Sequence, residues 1–184
     1  MLQKPEANEY APYYEAYVHS VPDGDLLEIL DKQVKETVNL LKNLNEDQAS
    51  FRYAQGKWTI KEVIGHVTDT ERIMGYRLLC ISRGETAMLP GYDDNQYVKE
   101  GNFNRFNVKE LLEQLSIVRQ NTLGLLKSLD DESLMQRGNA NGTEVTARAI
   151  AYIIAGHELH HRNLIKERYM KAEGYNKGDG NGEI

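Results

Sequence analysis

Residues 146–170 read TARAIAYIIAGHELHHRNLIKERYM, and the spacing of apolar residues in this stretch sets the class of the fold. Thr146 can cap a first turn, and Ile150, Ile154, Leu164 and Ile165 recur at steps that gather them on one face of a helix running to about Met170. His157 and His161 continue that stripe, so a helix that buries its isoleucines also turns two imidazoles inward. Positions four apart lie about 40° from each other around a helix, close enough for two imidazoles to grip one ion. Neutral imidazoles in an apolar core need partners. One buried histidine is more often a satisfied core residue, but two in adjacent turns on one inward face favour a metal.

Three further segments repeat apolar residues at helical spacing. Leu26, Leu30, Val34, Val38 and Leu41 form the first, between the turn-like VPDGD and the polar NEDQ. The second opens on Thr59 with Glu62 as a capping box and carries Ile60, Val63, Ile64, Val67, Met74 and Leu78. The third opens on Asn107 with Glu110 and carries Leu111, Leu115, Val118, Thr122, Leu125 and Leu129. None shows the two-residue alternation of a half-buried strand, so the sequence predicts an all-α four-helix bundle. The aromatic connection from Arg83 to Phe106 is long enough to carry function or a short helix. Tyr10, Tyr13, Tyr14 and Tyr17 predict a short amphipathic helix with its rings packed on the bundle as core rather than against a ligand. Residues 1–172 are expected to form one domain, and the Gly-rich residues 173–184 a flexible tail. No internal repeat suggests a solenoid.

Composition narrows the function. The chain has 184 residues, 40% of them hydrophobic, which suits one globular core. Its 22 lysines and arginines are scattered, and the net charge is −6, which argues against a nucleic-acid partner. Cys80 is the one cysteine, so no intramolecular disulfide can form and a metal must be held by histidines and carboxylates. With no leader-like N-terminus and no apolar run of membrane-spanning length, a cytoplasmic protein that binds no membrane is expected.

Three protein ligands and an open position are the usual layout of a catalytic zinc site. His66, beside Val63 and Val67 on the second helix, is the obvious third ligand. His19 precedes the bundle and His160 is rotated by about 100° from His161, so both read as surface residues or as neighbours of a ligand. The string His157-Glu158-Leu159-His160-His161 matches the zincin signature H-E-x-x-H, in which the glutamate is the general base. The short remnant after His161 and the lack of a strand for substrate weigh against proteolysis. Glu158 is then a hydrogen-bond acceptor behind the ligands or a solvated helix residue, with the latter slightly favoured. Asp69, one turn after His66, could accept the proton of its non-ligating nitrogen or be ordinary surface charge. Arg72 and Arg162 read as surface ion pairs before anion-binding groups. Tyr92, Asp93 and Asp94 are weak candidates for a pocket mouth, because acidic residues after Pro90-Gly91 also suit a local turn.

The segments KWTIKEVIGHVTDTER (57–72), LPGYDD (89–94) and GHELHHRNLIKERY (156–169), in that order and with NEYAPYYEAYV (8–18) before them, resemble the DinB/YfiT-like family over nearly the whole chain. The resemblance implies an up-down-down-up four-helix bundle that often dimerises. It also implies a divalent ion, zinc or nickel first, held by His66, His157 and His161. Family members with assigned activity are mostly transferases or isomerases that use a low-molecular-weight thiol such as bacillithiol. A thiol S-transferase acting on small electrophiles is therefore the first expectation. A metal-dependent hydrolase of a small molecule and a non-catalytic binding module are the alternatives.

Overall fold

The structure, a computed structural model, describes residues 3–175. The tail expected to be flexible lies outside the described residues from 176 onward; Tyr175 still packs edge-on against Phe51. The helices are α1 (Glu15–Ser20), α2 (Leu26–Leu41), α3 (Glu46–Ala49), α4 (Ile60–Ser82), α5 (Asp94–Gly101), α6 (Val108–Lys127), α7 (Asp131–Met135) and α8 (Ala147–Leu164). Strands β1 (Arg137–Ala140) and β2 (Thr143–Thr146) form one antiparallel hairpin. The four long helices start where their capping chemistry dictates. Asp25, Thr59, Asn107 and Thr146 each accept a backbone N–H of the first turn, and Glu62 and Glu110 complete the boxes at Thr59 and Asn107.

Each of α2 and α4 packs on both α6 and α8, so the successive long helices α2 and α4 stand on a diagonal of the bundle. The core divides into two apolar clusters. One gathers Leu26, Leu30, Leu78, Ile81, Ala147 and residues 149–155, and the other gathers Leu41, Ile60, Val63, Leu111, Leu115 and Ile165. Polar side chains occupy the level between them. Arg119 of α6 is wholly buried there and donates to both carboxylate oxygens of Glu71 on α4 at 2.8 Å, to Glu158 on α8 at 2.6 Å and to the Leu30 carbonyl of α2 at 2.8 Å. Thr37 of α2 donates to the other oxygen of Glu158 at 2.6 Å. Burial disfavours the charge on Arg119, but Glu158 and Glu71 more than offset it and hold the proton more firmly than in a free guanidinium. Among the described residues no helix is long and apolar enough to cross a membrane.

The hairpin departs from the all-helical reading. Its two-residue turn, Asn141-Gly142, has positive φ at both positions (55° and 78°), the geometry Asn-Gly provides for tight hairpins. The strands of four residues each are too short to show alternation above the helical signal. Leu89 and Asn139–Asn141 exchange backbone hydrogen bonds, so the hairpin pins the loop ahead of α5. Gly156 is required by close approach of backbone: a Cβ there would lie 2.1 Å from the Tyr17 carbonyl oxygen, so its absence lets α1 lie against α8.

Arg119→Met leaves two carboxylates facing each other without their cation and should lower unfolding free energy by about 3–5 kcal/mol in urea titrations. Glu36→Gln removes a partly exposed partner of Arg162 and should cost less than about 1 kcal/mol. Equal effects would deny the central network its role.

Candidate metal centre

His66 lies in the second turn of α4, and His157 and His161 lie on successive turns of α8, all three no more than 8% exposed. The helices pack with these faces together, so His66 Nε2 and His157 Nε2 stand 3.1 Å apart. Each of the three rings offers a nitrogen within 4.8 Å of the others, and among the described residues they are the group of metal-capable side chains so arranged. Two nitrogens bound to one tetrahedral zinc at 2.0–2.1 Å would be separated by about 3.4 Å, close to the observed contact.

The protonation states suit a cation. Burial lowers the pKa of His66, against the opposing pull of Asp94 and Asp69. Burial followed by the neighbouring His161 and His66 holds His157 well below its ordinary value. Burial, with His66 and His160 adding to it, pushes His161 down to about 3. Three neutral imidazoles therefore present lone pairs at pH 7. The Nδ1 atom of His161 is buried without a protein hydrogen-bond partner, so one nitrogen of this ring is not tied up by the fold.

The surroundings orient the rings. Trp58 packs on His66 at 4.7 Å between ring centroids, and the Trp58 carbonyl accepts from Tyr169 on the π-helical turn Ile165–Tyr169 that follows α8. Tyr17 meets His157 edge-on at 5.6 Å. Asp94, the first residue of α5, places Oδ1 3.8 Å from His66 Nδ1. The rings open onto a cavity of about 520 Å³, within the range of small-molecule sites. Its walls include Tyr14, Tyr92, Met74, Arg77 and Asn141 of the hairpin turn. The Tyr92 hydroxyl lies 2.9 Å from Thr70 Oγ1, and burial pushes its pKa up to about 12.

Several sequence expectations change. Asp69 accepts a 2.7 Å hydrogen bond from Arg72, and the carboxylate facing His66 Nδ1 is Asp94. Glu158 is not solvated: it is 2% exposed and held by Arg119 and Thr37, on the side of α8 away from the cavity. Of the four tyrosines only Tyr10 is fully core, while Tyr13, Tyr14 and Tyr17 line the cavity. Of the loop candidates, Tyr92 and Asp94 reach the cavity, whereas Asp93 caps α5 through Gln96 N–H. His160 also reaches the cavity, and His19 is exposed. Arg162 turns to Glu36 and the Gln33 carbonyl. Arg77 gave no sequence signal apart from its place three turns beyond His66 on the same stripe of α4.

A helical bundle with three buried histidines converging from two of its helices is the class that fold and site define. The chain belongs to the DinB superfamily, whose profile matches residues 29–165. A protein of Oceanobacillus iheyensis named "Putative metal-dependent hydrolase" is 28% identical over 76% of this chain and 79% of its own length. YfiT from Bacillus subtilis, described as a probable metal-dependent hydrolase with an unusual four-helix bundle topology, superposes with a TM-score of 0.72 at 17% identity, over 86% of this chain and 91% of that one. The mycothiol-dependent maleylpyruvate isomerase superposes at 0.64 and 14% identity, over 84% of this chain and 62% of that one.

Elemental analysis should find one divalent ion per chain in the wild type and almost none in His66→Ala. Equal metal in both would exclude the three-histidine centre. In metal-free protein the unfolded chain takes up histidine protons near pH 6.5 that the folded chain refuses, down to about pH 3 for His161. The stabilising contribution is therefore complete above pH 6.5 and declines as pH falls, by up to about 1.4 kcal/mol per unit for each histidine. Urea midpoints of the metal-free protein measured from pH 7 to 5 check this, and His161→Gln should flatten the slope.

Proposed function

We propose that the chain is a divalent-metal-dependent enzyme that transfers a low-molecular-weight thiol to an electrophilic small molecule. The observation that carries this reading is the convergence of three buried imidazoles on a cavity of small-molecule size. A divalent ion held by His66, His157 and His161, zinc or nickel first among the candidates, supplies the Lewis acidity that lowers the pKa of a thiol or of water. Trp58 packs on His66, whose Nδ1 faces Asp94 at 3.8 Å, and Tyr17 packs on His157.

The supply of bases favours the thiol. Glu158 is consumed by Arg119 and Thr37, and Asp94, facing His66 Nδ1, is the carboxylate on the cavity wall. A free thiol has a pKa of about 8.5 and needs little help to ionise, whereas water starts near about 15.7. The fold likeness to a thiol-dependent isomerase points the same way. A second reading, hydrolysis of a small molecule, draws support from the name of the 28% identical relative and from Asp94, which could serve as base if its hold on His66 relaxes.

The test is conjugation of monochlorobimane by zinc- or nickel-loaded protein supplied with bacillithiol, mycothiol or glutathione. Turnover is expected with at least one thiol, with a loss of more than about 100-fold in His157→Ala, the scale of removing a group that acts in the transition state. Cleavage of 4-nitrophenyl esters without thiol, and no conjugation, would replace the transferase by the hydrolase. Saturable binding with neither activity would leave a binding module and overturn both.

A further inference from the structure

Four lysines or arginines are buried in the described structure, and three of them carry a carboxylate. Arg119 has Glu71 and Glu158, Arg162 has Glu36, and Lys61 has Glu46. Arg77 is the fourth. It is 3% exposed, and no carboxylate of the described residues lies within ion-pairing distance of it. Its guanidinium donates to the Pro90 carbonyl at 2.6 Å and to the Met74 sulfur at 3.6 Å, and lies 6.0 Å from the centre of the Tyr92 ring. Every one of these partners is neutral.

Holding the loop at Pro90 accounts for one N–H, and an uncharged donor could do that. A guanidinium kept charged in a buried setting without its counter-ion is costly, and buried charges are ordinarily paired. Arg77 also lines the cavity onto which the three histidines open. His66 and Arg77 are eleven residues apart on α4, which places them about 20° apart in azimuth and about 16 Å apart along the axis. The bond to Met74, one turn earlier, has the arginine leaning back along α4 in the direction of His66.

We propose that Arg77 is the anchor for the carboxylate of an elongated ligand whose other end lies at the histidines, so that the missing counter-ion of this buried cation is supplied by the substrate or co-substrate. The planar fork of the guanidinium matches a carboxylate with two parallel hydrogen bonds, which an ammonium cannot reproduce. The aromatic walls formed by Tyr14, Tyr17 and Tyr92 suit an apolar segment between the two ends. The inference deepens the proposed function by naming a substrate class, and it rests on that reading only for what happens at the far end.

The experiment is isothermal titration of metal-loaded protein with 4-phenylbutyrate and, as its uncharged isostere, 4-phenylbutyramide. Wild type should bind the carboxylate at least tenfold more tightly than the amide. Arg77→Met should abolish that preference while leaving amide binding within about twofold, and Arg77→Lys should retain part of it. The same preference should survive in metal-free wild type, so failure of the metal or transferase reading leaves this one standing. Thermal unfolding of each variant accompanies the titrations. If Arg77→Met does not fold, Arg77→Lys decides, with a preference at least threefold below wild type expected. A wild type that binds the carboxylate no better than the amide, or an equal preference in wild type and the arginine variants, overturns the proposal.

Discussion

Arg119 ties together the four long helices of the bundle. Four of its hydrogen bonds meet Glu71 on α4, Glu158 on α8 and the Leu30 carbonyl on α2, while Thr37 of α2 secures the far oxygen of Glu158. The geometry is demanding because a buried guanidinium tolerates no idle partner. Once Glu158 must point at Arg119, the rotation of α8 about its axis is set. His157, one residue earlier, and His161, three later, then face α4 and the cavity, where His66 meets them. The polar level of the core thus orients the histidines, although it shares no side chain with them.

The same economy governs the walls of the cavity. Glu9 is buried between Arg148 and Thr146 at the start of α8, and these partners outweigh burial to hold its carboxyl below the ordinary range. That anchors the N-terminal segment, and Gly156 then lets α1 lie close enough for Tyr17 to reach His157. On the other side the Asn141-Gly142 turn and Leu89 fix the loop that carries Tyr92, and Gly91 leaves the space that Asn141 fills. Segments without long helical structure therefore supply much of the cavity wall, held by a few buried polar contacts each.

How much of this was legible follows from the range of the forces involved. Caps and periodicity act within a few residues, so the starts of α2, α4, α6 and α8, and the inward turn of His157 and His161, can be read directly from the string. The third histidine is legible because it lies beside Val63 and Val67 on an inward stripe. Glu158, Arg119 and Arg77 are not, because a charged residue near a helical stripe looks the same in sequence whether it is solvated or paired across the core. Asp69 and Asp94 show the same limit. Both are acidic residues near a candidate ligand, and only the packing of α5 against α4 brings Asp94 to His66. The hairpin was hidden by its length, although Asn-Gly was its signal.

The match to H-E-x-x-H shows why a motif carries chemistry only with its surroundings. In a zincin the glutamate must share the open side of the metal, yet positions i and i+1 of a helix diverge by about 100°, so a partner on one side can claim the glutamate while the histidines face another. Here α6 makes that claim through Arg119, and the third imidazole comes from upstream on α4 rather than from downstream. The cavity is left with neutral imidazoles, phenols, one carboxylate turned to His66 and one uncompensated cation. The side chains that a zincin would spend on a general base are here committed to the packing of the helices, so the motif's spacing survives without its chemistry.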